Sequence, residues 1–189
     1  CFIENNRTAV DVFTPGSVFA ISSKSNVSFV NSIIEKNKTT TLFNQSYSSV
    51  KILNSTVFKN YGFSNLRDTS SLLVQNAIFY FNGNNFNADS TEFKKDFYSS
   101  ISVSNTLTEV YRAAGSTYFG QNPRFTDTAR IAGADNKYFT ADDGLRLLNP
   151  CSPAINAGNN NFVSTVVGDI TGATRIKNGI VDLGAYELQ

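Results

Sequence analysis

The sequence contains no histidine. That absence removes the commonest general base, the commonest metal ligand and every Ser-His-Asp arrangement. It holds two cysteines, Cys1 and Cys151, too few for a disulfide framework. Charged residues make up 16% of the chain, well below the globular average, and the formal net charge is +1. So balanced a chain gives no case for a nucleic-acid partner or for an acidic membrane surface. No apolar run approaches the length of a membrane span, so no transmembrane segment is expected, and no signal peptide is legible. The missing charge is replaced by Ser, Thr and 23 asparagines, a mixture that favours turns and β-structure over helices. With 189 residues, the chain is long enough for one substantial core.

The asparagines are not scattered. "VSFVNSIIEKN", "VKILNSTVFKN", "LLVQNAIFYFN" and "ISVSNTLTEVY" share one design and align on Asn31, Asn54, Asn76 and Asn105. Two and four places before each asparagine stand Val27 and Phe29, Val50 and Ile52, Leu72 and Val74, and Ile101 and Val103. All are apolar, as the inward face of a period-2 strand requires. After the asparagine, a small residue and the one two places on (Ser32 and Ile34, Ser55 and Val57, Ala77 and Phe79) continue that face. A further asparagine follows at Asn37, Asn60 and Asn82. A period of about 22 residues built from short strands predicts a solenoid, here a parallel β-helix over residues 1–112. Leucine-rich repeats share that period, but their leucine spacing is absent. The asparagines suit corners, because Asn tolerates left-handed backbone, and their amides can bond from coil to coil as a ladder. Asn31, Asn54, Asn76 and Asn105 are therefore expected to be structural.

Cys1 opens "CFIENN", which fits the same repeat position. The chain is accordingly expected to be a piece of a longer protein, cut inside a repeat; the alternative is a lipidated amino terminus. Five N-x-[S/T] sequons, at Asn6, Asn26, Asn37, Asn44 and Asn54, are read as by-products of the repeat rather than as glycan acceptors.

If the residue after each asparagine points inward, the next points outward. Stacking then gathers Phe2, Ile33, Phe58, Ile78 and Tyr80 into an apolar strip, a candidate binding face for sugar rings or a protein partner. The alternative is that the segment 83–100, with Phe86, Phe93, Phe97 and Tyr98, folds back and covers it.

After residue 112 the repeat fades into "FGQNPRFTDTARIAGADNKYFTADDGLRLLNPCSPAINAGNN" and "GDITGATRIKNGIVDLGAYELQ". Together with the repeats, these motifs resemble the end of a right-handed parallel β-helix surface protein of the pectin-lyase-like superfamily. The tail is similar to those of secreted proteins of Bacteroidota, including the choice-of-anchor Q domain proteins. Asn156 stands where that pattern usually carries Asp. The resemblance implies an all-β, right-handed solenoid with a loop-rich carboxy-terminal cap over residues 113–189, and an extracellular or cell-surface location.

An open solenoid end exposes strand edges and core, so a cap is also expected on physical grounds. Asp169, Arg175, Asp182 and Glu187 can form a partly buried ion-pair network locking its loops; the alternative is a catalytic carboxylate pair, but no base or nucleophile accompanies it. In "ADNKYFTADDG", Asp135, Asn136, Asp142 and Asp143 are hard oxygen donors suited to calcium, the alternative being a solvated turn. Lys59, Arg67 and Asp68 make no catalytic constellation.

The expected function is a structural or adhesive module displaying a glycan- or protein-binding face. A third possibility is cargo recognised by export or outer-membrane machinery. The runner-up is the non-catalytic end of a β-helix polysaccharide lyase or glycoside hydrolase. Fold alone does not choose between them, and this segment is not expected to cleave glycans itself.

Overall fold

The computed structural model of the chain describes residues 2–4, 17–37, 41–60, 63–82, 93–109, 118–148, 150–163 and 168–188, with backbone only at 2–4 and 63. Among the described residues, fourteen short strands dominate the first part. In chain order these are β1 (Phe2–Glu4), β2 (Ser17–Ile21), β3 (Asn26–Val30), β4 (Ile33–Glu35), β5 (Thr41–Ser46), β6 (Ser49–Leu53) and β7 (Thr56–Phe58). They continue as β8 (Phe63–Arg67), β9 (Ser71–Gln75), β10 (Ile78–Tyr80), β11 (Phe93–Lys95), β12 (Ser100–Ser104), β13 (Leu107–Thr108) and β14 (Tyr118–Phe119). From β1 to β13 every third strand is a neighbour, and β14 pairs directly with β13. The first sheet runs β1, β4, β7, β10, β13, β14; the second runs β2, β5, β8, β11; the third runs β3, β6, β9, β12. All these pairings are parallel. The chain is thus all-β, with three parallel sheets that each take one strand per coil, a strand order compatible with a parallel β-helix.

The corners explain the asparagines. Between the third and first sheets the chain turns at Asn31, Asn54, Asn76 and Asn105, with φ of 45°, 48°, 50° and 46°. Asn is the non-glycine residue that most readily accepts that backbone. A second corner follows the first sheet, at Lys36, Lys59 and Phe81, with φ of 51°, 52° and 55°. The residues after them, Asn37, Asn60 and Asn82, turn inward and form the ladder. Asn37 Nδ2 donates to Asn60 Oδ1 at 2.8 Å and Asn60 Nδ2 donates to Asn82 Oδ1 at 3.0 Å. Backbone N–H groups of Asn37 and Asn60 reach the same oxygens, so the polar groups of these buried corners find partners. The third corner, between the second and third sheets, turns at Lys24, Tyr47, Asp68 and Thr69. Ser48, Ser70 and Ser99 follow it and are buried. Their hydroxyls serve the preceding coil: Ser48 N donates to Ser70 Oγ, and Ser70 N to Ser99 Oγ.

Inside the coils lies the core predicted by the alternation. It includes Ile34, Val50, Ile52, Val57, Leu72, Val74, Phe79 and Val103, with Val27, Phe29 and Ile101 packed against it. Phe19 stacks on Phe43 at 5.0 Å and 12°, and Phe29 meets both rings edge-on. Gln45, Ser64 and Thr108 break the pattern at inward positions; Gln45 on β5 is fully buried between Ile21 and Leu66 in register, and its amide makes no hydrogen bond.

From residue 118 the chain is mostly turns. β14 first adds a strand to the first sheet beyond β13, so that sheet continues past residue 112. The described contacts of the remaining segment lie along the flank of the first sheet, where the sequence predicts a cover over the end of the stack.

Candidate functional site

The strip read as a binding face is brought together as expected, but it is not a face. Ile33, Phe58, Ile78 and Tyr80 share the outer side of the first sheet, 0%, 0%, 1% and 9% exposed. They form a second core with Leu107 and, from the carboxy-terminal segment, Ile131, Leu145, Leu147, Leu183, Ala185 and Tyr186. Phe125 closes edge-on over Phe58 at 5.4 Å. The register places Phe2 beside Ile33, but its side chain lies outside the described residues. The cover is also not the expected one. Phe93 points into the inner core, Phe97 and Tyr98 are exposed, and residues 83–92, with Phe86, lie outside the described residues. The outward row is apolar because a second layer of the same chain packs on it.

Specific polar contacts hold that layer in place. The Asn76 side chain pairs with the Asn159 backbone as one peptide pairs with another. Its Oδ1 accepts from Asn159 N at 2.8 Å, and its Nδ2 donates to Asn159 O at 3.0 Å. Gly184 N donates to Asn76 O at 2.9 Å, and Ala185 N to Thr56 Oγ1 at 3.0 Å. Asn31 Nδ2 donates to Gly168 O, and Lys59 Nζ to Thr128 O. Gly184, at φ +91°, lies so close to the sheet that a Cβ would meet Thr56 Oγ1 at 2.8 Å and Ile78 Cδ1 at 2.9 Å. Corner asparagines thus do a second task, fastening the flanking layer.

Asp169, Arg175, Asp182 and Glu187 gather in that layer, all of them buried. They do not pair directly. Arg175 Nη2 donates to the carbonyls of Asp182 and Gly184 at 3.0 and 2.6 Å. Each carboxylate instead staples backbone. Asp169 accepts from Thr171 N, Ala173 N and Glu187 N, Asp182 from Asn156 N and Leu188 N, and Glu187 from Lys177 N and Asp182 N. Burial is the leading influence on the protonation of Arg175, Asp182 and Glu187. It lowers the Arg175 pKa, against the pull of the three carboxylates, and raises that of Asp182. It pushes Glu187 up to about 7. Asn156, at φ 52°, contributes its backbone N–H to this arrangement.

The acidic loop is folded by its own carboxylates. Asp142 accepts from Ala134 N, Asp135 N and Thr140 Oγ1, and the Thr140 hydroxyl is the first cause of its lowered pKa. Asp143, fully buried, accepts from Phe139 N at 2.6 Å and from Thr140 N at 3.1 Å. Asp135 accepts from Lys137 N, and exposed Asn136 supplies a left-handed turn at φ 55°. Among the described residues no three acidic, cysteine or histidine side chains converge as metal ligands. Of the four predicted ligands, Asp142 and Asp143 thus have their oxygens aimed at N–H and O–H donors of their own loop.

The surface feature that the alternation pattern missed is the third corner. Successive coils bring Lys24, Tyr47, Asp68 with Thr69, and Phe97 with Tyr98 along one edge. Lys24 N bonds Tyr47 O, Tyr47 N bonds Asp68 O, and Asp68 N bonds Asp96 Oδ2. Tyr47, Phe97 and Tyr98 are 56%, 90% and 73% exposed. Beside them a groove of ≈ 350 Å³ is lined by Lys24, Ser25, Asn26, Tyr47, Ser49 and Ser71, among others. Of the sequons, Asn37 and Asn54 are fully buried in corners, Asn26 is exposed, Asn44 is half-buried, and Asn6 lies outside the described residues. No helix among the described residues is long and apolar enough to cross a membrane. No protein-family model matches the chain, and no curated protein matches it either.

Proposed function

We propose that the chain is a structural, adhesive module of an exported cell-surface protein. In this reading it is a right-handed parallel β-helix whose carboxy-terminal segment acts as its cap, displaying a face to a glycan or protein partner. One observation carries the reading: the carboxylates of the tail motifs are buried and bonded to backbone N–H groups, while rings, hydroxyls and amides are left on the open corner. Side chains committed in that way build a rigid platform rather than a reaction centre. The tail motifs quoted above resemble those of exported surface proteins, which supports the location.

The test is protease shaving of intact source cells, followed with an antibody raised against this chain. The expected result is loss of the epitope without lysis. An epitope that is cut only after lysis overturns the reading.

A further inference from the structure

We infer that the third corner is the binding face itself, and that it takes a glycan chain with Tyr47 as the stacking platform. This inference rests on the adhesive reading above and adds to it the site and the ligand class.

Tyr47 is held at φ 50°, a conformation that is costly for a bulky residue. The corner does not need a ring there, because the positions before and after it along the edge are Lys24 and Asp68. Nor is the ring there to pack, since it is 56% exposed and makes no aromatic contact among the described residues. Strain retained for a solvent-facing ring points to a task outside the fold.

The groove beside the ring has the matching chemistry. Ser49, Ser71 and Ser100 stand in register on the third sheet, and Ser71 Oγ donates to Ser49 Oγ at 2.9 Å. Asn26 lies in register with Ser49 at the other end of that row, and Lys24 adds an ammonium. A sugar presents an apolar ring face and an edge of hydroxyls, which a ring beside a row of hydroxyls and amides complements on both counts. Two coils beyond Tyr47, about 10 Å away at about 4.8 Å per step, Phe97 and Tyr98 offer a second platform on the same edge. Their turn is set by Asp96, which accepts from Tyr98 N and Ser99 N. Two platforms in line suit a chain of sugars better than a single one. The local acids are engaged: Asp68 by Ser46 Oγ, and Asp96 by backbone.

The test is a printed array of plant, bacterial and animal glycans probed with the full chain, with Tyr47→Asn and with Tyr98→Ala. Tyr47→Asn separates binding from folding, because Asn relieves the left-handed strain while removing the ring. The expected result is glycan binding by the parent and a fall of about ten-fold or more in Tyr47→Asn. Tyr98→Ala should lose less, and the melting temperature of Tyr47→Asn should be equal or higher. Binding that survives both substitutions overturns the site but leaves the adhesive reading standing. A parent that binds no glycan overturns the ligand class, and the shaving experiment then judges the module separately. A lower melting temperature for Tyr47→Asn also overturns the inference, since the ring would then serve the fold.

Discussion

The phenol of Tyr186 donates a 2.5 Å hydrogen bond to Oδ2 of the fully buried Asp143. That carboxylate already folds its own loop through Phe139 N and Thr140 N, so one side chain ties the acidic loop to the last motif of the chain. Burial, then the bond to Asp143, raises the tyrosine pKa far above its usual range, so the hydroxyl remains a donor. Tyr186→Phe keeps the ring and removes the donor. It should cost about 1–3 kcal/mol, read as a lower urea midpoint with an unchanged slope. An unchanged midpoint would show that the bond contributes nothing net.

Glu187 gives the fold a pH dependence. Its carboxyl, ordinarily near 4.5, is pushed up to about 7, burial being the first cause. The folded state therefore holds a proton that the unfolded chain has released, and its contribution is fully present below about pH 4.5. It is lost as pH rises towards 7 and is flat beyond. The loss is on the order of 1–3 kcal/mol. Glu187→Gln should melt lower throughout, because an amide cannot accept from both Lys177 N and Asp182 N. It should also flatten that slope. Melting curves from pH 4 to 8 check both, and a slope that persists in Glu187→Gln assigns it to another group.

The inner core was legible because strand alternation is a local rule: Val50, Ile52, Val57 and Phe79 point where their parity puts them. The corner asparagines were legible because left-handed backbone selects few residues. The flanking layer was not, since an outward Phe58 or Ile78 reads the same whether solvent, a partner or the chain's own tail covers it. Only long-range contacts such as Asn76 with Asn159 decide that. The four tail charges were found in one place, but sequence cannot show that Asp182 and Glu187 bond backbone rather than Arg175. Tyr47 had one faint signal, a ring at a corner where the neighbouring coils hold Lys24 and Asp68.

The acidic loop allows a direct check on calcium. Asp142 and Asp143 aim their oxygens at N–H and O–H donors, which leaves fewer lone pairs for an ion. Titration calorimetry of chelator-treated protein should give no heat, and calcium should leave the melting temperature unchanged. Heat that disappears in Asp142→Asn would show that the loop reorganises around the ion.

Gln45 and Asn60 pose the same chemical problem with opposite outcomes. Both carry a fully buried amide. Asn60 donates to Ile34 O, Phe58 O and Asn82 Oδ1, and accepts from Asn37. Its amide has exchanged water for protein partners, so Asn60→Leu strands groups in three coils and should cost about 3 kcal/mol or more. Gln45 has lost water and gained no partner, with Ile21 and Leu66 beside it in register. Desolvating such an amide costs about 1–3 kcal/mol on mutational scales. Gln45→Met keeps the length and flexibility of the side chain while removing both polar atoms. It should therefore stabilise the fold by about 1–2 kcal/mol, seen as a higher urea midpoint. A lower midpoint for Gln45→Met would mean that its amide is bonded in solution, and the inner core would then contain a polar contact that sets the register of β5.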